Sequence, residues 1–115
     1  PLLTSKSLFD AEGNGSMSLD GLHFNLRSNV FVPRGESRHL IEAASRAIET
    51  IHAHRPRLLD VTVGVGNGLL PLLKRYPFAT GMGIDINPTA TRLAEQNAQL
   101  NGLAERCSMQ VKDLK

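Results

Sequence analysis

The stretch Asp60-Val61-Thr62-Val63-Gly64-Val65-Gly66-Asn67-Gly68 carries the most chemistry in this chain: a carboxylate and a hydroxyl directly before three alternate glycines. Glycines let backbone approach a ligand closely, and at the start of a helix they leave N–H groups free to face it. A second carboxylate, Asp85, ends the next apolar run, and a third, Asp113, follows the run after that. A carboxylate ending a second strand suits the two hydroxyls of a ribose, which are both donors. These positions predict an adenosine-type ligand at the carboxyl ends of the strands. Carboxylates that are even half-buried are costly without a partner. Three at successive strand ends therefore argue against a bare strand-to-helix turn.

The spacing also selects among adenosine ligands. The dinucleotide pattern Gly-x-Gly-x-x-Gly fails here: counted from Gly64 its last position is Leu69, and counted from Gly66 it is Pro71. A pyrophosphate would be repelled by Asp60. S-adenosylmethionine has no phosphate and carries an ammonium and a sulfonium, charges that Asp60 suits. The acid ahead of the glycines favours S-adenosylmethionine over NAD.

The elements that must hold these residues follow from hydrophobic period and punctuation. Residues 1–16 are polar and rich in Gly and Ser, and read as a loop. From 17 to 27 the period is two. Asp20-Gly21 between the runs is a two-residue hairpin turn, which pairs Leu19 with Leu22 and Met17 with Phe24 on one face. Pro33 to Ser37 is a turn into a helix over 38–54, with Ser37 as N-cap and Leu40, Ala44, Ala47, Ile48 and Ile51 as its apolar stripe. Pro56 stops that helix. Strands are predicted over 58–63, 79–86 and 106–111, and helices over 69–75 and 88–100. Pro88 and Asn101-Gly102 punctuate the last helix. Gly81 and Gly83 mark a close approach within the second of these strands. The fold class is α/β: a hairpin and a helix precede a parallel β-α-β-α-β unit of the Rossmann-like kind, spatial order 3-2-1.

Composition agrees with one globular domain. The chain has 115 residues, 41% hydrophobic and 21% charged, enough for a single core. The net charge of +2 is a weak bias. The arginines between Arg27 and Arg75 are interleaved with acids and read as a mixed solvated surface. With one Tyr, no Trp and four Phe there is little aromatic surface for stacking RNA bases. No apolar run is long enough to span a bilayer, so no membrane partner is expected. The lone Cys107 reads as core packing in a reducing compartment. No metal is expected: His52 and His54 lie two apart at a helix end, a poor geometry for shared ligation. The start, Pro1-Leu2-Leu3-Thr4, has no signal-peptide layout and no Met, which suggests a processed or excised chain. The expected location is cytoplasmic.

Several stretches together resemble the class I S-adenosylmethionine-dependent methyltransferases. More narrowly they resemble the release-factor glutamine methyltransferase (HemK-like) group. They are Gly21-Leu22-His23-Phe24, Val30-Phe31-Val32-Pro33-Arg34-Gly35-Glu36-Ser37, Leu58-Leu59-Asp60 to Gly66, Gly83-Ile84-Asp85-Ile86-Asn87-Pro88, and Asn97-Ala98 near Asn101-Gly102. The resemblance covers about residues 17–115, and the Pro-Arg-x-Glu-Ser stretch is its most group-specific part. It implies that Asp60, Gly64 and Gly66 cradle the methionine part of the cofactor. Asp85 would hold the ribose, with Ile86 against the adenine and Asp113 near its amino group. Phe31, Pro33 and Arg34 would line the cofactor and substrate side. Thr62 departs from the pattern, standing where the group has its first glycine.

The resemblance also implies a catalytic Asn/Asp-Pro-Pro-Tyr loop after a fourth strand, which residues 1–115 do not contain. The catalytic residues are therefore unassigned, the chain reads as a partial domain, and alone it is expected to be inactive. It divides into a loop-rich segment 1–16, a hairpin and turn 17–37, and a partial cofactor-binding domain 38–115. The implied activity is N-methylation of a protein glutamine. The alternatives are methylation of a nucleobase amine in RNA, or a non-catalytic half-domain that binds cofactor or a partner. An oxidoreductase half is disfavoured by Asp60 and the loop spacing.

Overall fold

A computed structural model of the chain describes residues 9–30 and 35–115. It opens with a hairpin of β1 (Asn14–Leu19) and β2 (Leu22–Arg27). The register pairs Leu19 with Leu22 and Met17 with Phe24, as the sequence requires. Asp20 and Gly21 both take positive φ, 53° and 74°, the geometry of a tight turn that matches the twist of the strands it joins. Leu22, Phe24 and Leu26 are buried, and Met17 and Leu19 pack against them. β1 begins three residues before the apolar alternation does. Ser28 N–H donates to the Gly13 carbonyl at 2.9 Å, and Phe9 bridges Gly15, so backbone pairing extends the strand through polar residues.

Helix α1 spans Glu36–Thr50, not 38–54, and here the structure corrects three expectations: the cap, the buried stripe and the stop. Gly35, at φ 111°, occupies the N-cap, and Ser37 lies inside the first turn. The Ser37 hydroxyl accepts from Asn67 Nδ2 at 2.5 Å and does not cap the helix. The buried stripe is Ser37, Ile41, Ser45 and Ile48, so Leu40 and Ile51 are exposed, at 56% and 71%. The reason is polar. Arg75 donates to Ser45 Oγ at 2.9 Å and to Glu42 Oε1 at 3.1 Å, and Tyr76 donates to Glu49 at 2.9 Å, which turns that face toward α2 (Leu69–Arg75). The helix stops before Pro56 because His52 adopts φ 53° and Ala53 N–H closes onto the Ile48 carbonyl.

The second half is β3 (Arg57–Asp60), α2, β4 (Thr80–Asp85), α3 (Pro88–Leu100), a short 3₁₀ turn at Ala104–Arg106 and β5 (Cys107–Val111). The three strands are parallel in the order β3-β4-β5. β3 is shorter than the apolar run because Asp60 Oδ1 captures Thr62 N–H at 3.1 Å and bends the chain away. Val63 N–H still reaches the Ile84 carbonyl at 2.9 Å. Arg106 ties off the end of α2, donating to the Leu73, Tyr76 and Ala79 carbonyls at 2.6, 3.1 and 2.9 Å. Among the described residues no helix is long and apolar enough to cross a membrane.

One sheet face packs on the helices and hairpin through Leu58, Cys107 and Met109. The other carries Leu59 and Met82, neighbours in register, which are 63% and 36% exposed. The glycines of β4 belong to the packed face. A methyl on Gly83 would lie 2.5 Å from Val63 Cγ2 and 2.7 Å from Met109 Sδ. Val63 is wholly buried and branched, with nowhere to move. Gly83→Ala is expected to destabilise the fold by about 1–3 kcal/mol, the usual penalty for overpacking. Urea denaturation measures it; a wild-type midpoint would show that β4 has room there.

Candidate functional site

The carboxyl ends of β3 and β4, the glycine loop between them and the start of α1 enclose a cleft of about 410 Å³. Asp60, Thr62, Gly64 and Asp85 line it, as do Asn67 and Gly68. Val30, Ser37, Leu40, Asn87 and Ala90 complete the wall. The loop is short because Gly64 and Gly66 both take positive φ, 55° and 94°.

The two carboxylates have different surroundings. Asp85 Oδ2 accepts from Gly64 N–H at 3.0 Å, and its Oδ1 accepts from Asn87 N–H at 3.0 Å. It thus ties the glycine loop to the start of α3, and each oxygen retains further acceptor capacity. Asp60 spends Oδ1 on Thr62 N–H. Its other oxygen lies so near Gly68 that a methyl there would come within 3.3 Å of it. Burial pushes the Asp60 carboxyl above its ordinary pKa; the Thr62 hydrogen bond opposes this and the Asp85 charge adds to it. No Lys, Arg or His among the described residues forms an ion pair with either acid. The cleft therefore presents a partly desolvated carboxylate without an ion-pair partner among the described residues, beside a second carboxylate with acceptor sites to spare.

Three of the other candidates, Gly66, Ile86 and Asp113, do not line this cleft. Gly66 does not line the cleft: a methyl on it would meet Leu70 Cδ1 at 2.8 Å, so it serves loop-to-helix packing. Ile86 follows Asp85 at the strand tip and is 66% exposed. Asp113 is exposed two residues beyond β5, and its carboxylate accepts from Lys115 N–H at 3.0 Å. Phe31, Pro33 and Arg34 lie outside the described residues. Ser37, Asn67 and Leu40 line the cleft too, although the sequence reads Ser37 as a helix cap and Leu40 as part of the apolar stripe. Asn67 sits inside the glycine run, but its bond to Ser37 spans thirty residues and leaves no local signal.

Burial also pushes the Cys107 thiol up, and its Sγ donates weakly to the Leu103 carbonyl at 3.4 Å. Among the described residues no group of three or more His, Cys, Asp or Glu could hold a metal ion. A second groove, of about 530 Å³, runs between β2 and α3. Arg27, Arg92, Asn25, Asn29, Thr89 and Gln96 line it. Neither arginine is ion-paired among the described residues.

No family model matches the chain. Similar solved structures include P. horikoshii TYW2 in complex with MeSAdo, at a TM-score of 0.72 and 18% identity, covering 92% of this chain and 38% of that one. Another is a SAM-dependent methyltransferase from Agrobacterium tumefaciens, at a TM-score of 0.68 and 24% identity, covering 88% and 33%. The chain thus has the class I S-adenosylmethionine-dependent methyltransferase fold. Its curated relatives include release factor glutamine methyltransferases. That of Rhodospirillum rubrum is 39% identical over 88 residues, which are 76% of this chain and 26% of the relative. That of Bradyrhizobium diazoefficiens is 36% identical over 93 residues, 80% and 31% respectively. The chain spans less than a third of the length of these relatives.

Proposed function

We propose that the cleft binds S-adenosylmethionine and that the protein transfers its methyl group to the amide nitrogen of a protein glutamine. The observation that carries the first part is the pair of strand-end carboxylates. Asp60, desolvated and without a cationic partner among the described residues, suits the cofactor's ammonium. Asp85, at the end of β4, suits the ribose hydroxyls. Thr62 lines the same cleft, and Gly64 and Gly68 line it without placing a side chain in it. Ile86, Asp113, Phe31, Pro33 and Arg34 are proposed for the adenine and substrate sides on the resemblance. When bound, the cofactor supplies an electrophilic methyl on a sulfonium. The chain's own contribution is to bind and orient that group and exclude water, so that an acceptor nitrogen can approach in line. The glutamine acceptor rests on the relatives, which are named for that reaction.

A second reading, transfer to a nucleobase amine in RNA, is favoured by the groove holding Arg27 and Arg92. Its amides, hydroxyl and guanidinium groups are the side chains that contact phosphate and sugar.

One experiment separates these readings. S-adenosylhomocysteine is titrated calorimetrically into the 115-residue chain. Labelled methyl transfer is then assayed with the chain and with its natural full-length protein, offering a release factor and RNA. Saturable binding by the chain, with label on the release factor from the full-length protein only, is the expected result. Absence of binding refutes the cofactor site. Label on RNA replaces the acceptor, and binding without transfer by either protein makes this a non-catalytic module.

A further inference from the structure

Asn97, in the middle of α3, is wholly buried. Its side chain makes three hydrogen bonds. Oδ1 accepts from Asn25 N–H at 2.7 Å; Nδ2 donates to the Asn25 carbonyl at 3.1 Å and to the Val65 carbonyl at 2.8 Å. Both amide protons and the oxygen are thereby used. One helical turn later Asn101 repeats the clasp on His23, accepting from its N–H at 3.0 Å and donating to its carbonyl at 2.7 Å. Two asparagines four apart, one within α3 and one capping its end, thus bond alternate residues of β2 as a neighbouring strand would. Asn97 alone of the two reaches on to the glycine loop.

That reach matters because of where Val65 sits. It lies between Gly64 and Gly66, the two positive-φ hinges of the loop. Its side chain is wholly buried, and its carbonyl is held by Asn97. Gly64 N–H is held from the other side by Asp85. The loop is therefore pinned at two successive residues, once by an acid of the cleft and once by an amide that also grips the hairpin. We infer that Asn97 is a positioning residue for the glycine loop, through which the hairpin sets where the loop meets its ligand. The ligand half of this inference rests on the proposed cofactor reading; the loop half does not.

Asn101 supplies a matched control, since it grips the hairpin and not the loop. Asn97→Ala is expected to weaken S-adenosylhomocysteine binding roughly tenfold, the scale of one hydrogen bond lost from a placed loop. Asn101→Ala is expected to change it about twofold or less. In ligand-free protein, amide exchange at Gly64 and Gly66 should quicken in Asn97→Ala and not in Asn101→Ala. Equal effects of the two variants on both readouts would reduce Asn97 to a clasp for the hairpin and overturn the inference. If the wild type does not bind the ligand, the cofactor reading fails and the exchange comparison alone decides. If Asn97→Ala does not fold, the wild-type NMR titration decides. The Asn97 side-chain amide signals should then move with ligand while those of Asn101 stay in place, and two unmoved pairs would refute the inference.

Discussion

Replacing Asp85 by Ala is expected to lower affinity for S-adenosylhomocysteine about 10- to 150-fold. Two ribose hydroxyls lose a carboxylate acceptor, and hydrogen bonds to a charged group contribute about 1.5–3 kcal/mol. Each ~1.4 kcal/mol is a factor of ten. The same substitution strands the N–H groups of Gly64 and Asn87, which Asp85 now accepts. Unsatisfied donors of that kind cost about 1–3 kcal/mol in stability. Calorimetry and urea denaturation should therefore both register the change. Asp85→Asn separates them, because its amide oxygen can still serve one backbone donor while the charge is gone. A wild-type affinity in Asp85→Ala would remove this residue from the ligand site, whatever happened to stability.

Local chemistry made some elements legible in advance. Asp20-Gly21 sets a turn by φ alone, and a two-residue turn leaves one register, so the Leu19–Leu22 and Met17–Phe24 pairs followed. The ends of α2 and α3 are marked by Gly68, Tyr76, Asn87 and Asn101 in their own sequence. The acids and glycines of the cleft were legible because strand ends and turns carry their own punctuation. α1 was harder. Its buried face includes Ser37 and Ser45, which hydrophobic periodicity discards. They are inside because Asn67 and Arg75, each thirty residues away, supply their hydrogen bonds. Asn97 stood out only within a family-like stretch, since an asparagine in a helix has no local reason to be buried. Its reason is the edge of β2, more than seventy residues back in the chain. Gly66 has a packing reason that the loop pattern does not carry: a methyl there would meet Leu70 Cδ1 at 2.8 Å, a contact made only once the loop and α2 are folded together.

Asp60→Asn is expected to move stability and binding in opposite directions. Burial holds the Asp60 carboxyl above its ordinary pKa, against the Thr62 hydrogen bond and with the Asp85 charge adding to the rise. A carboxyl raised in this way binds its proton more readily in the folded chain than in the unfolded one. Its stabilising contribution is therefore complete below the unfolded value, near 3.9, and is lost as pH rises through the folded value. At neutral pH the ionised side chain opposes folding, and asparagine removes that opposition. It keeps an oxygen for Thr62 N–H, so the bend after β3 should survive. The variant should melt above the wild type at pH 7, with the difference shrinking as acid protonates Asp60. Binding should do the reverse. A cationic ligand gains from the charge that the empty cleft tolerates poorly, so Asp60→Asn should lose about 10- to 150-fold in S-adenosylhomocysteine affinity at pH 7, again the range for a charge-assisted bond. Wild-type affinity should fall as pH drops through the Asp60 titration, while the variant stays flat there. Thermal melts and calorimetry across pH 4–8 on both proteins measure the two effects. A variant that melts lower and binds as the wild type does would mean that Asp60 serves only the turn, and the cation would have to be held elsewhere.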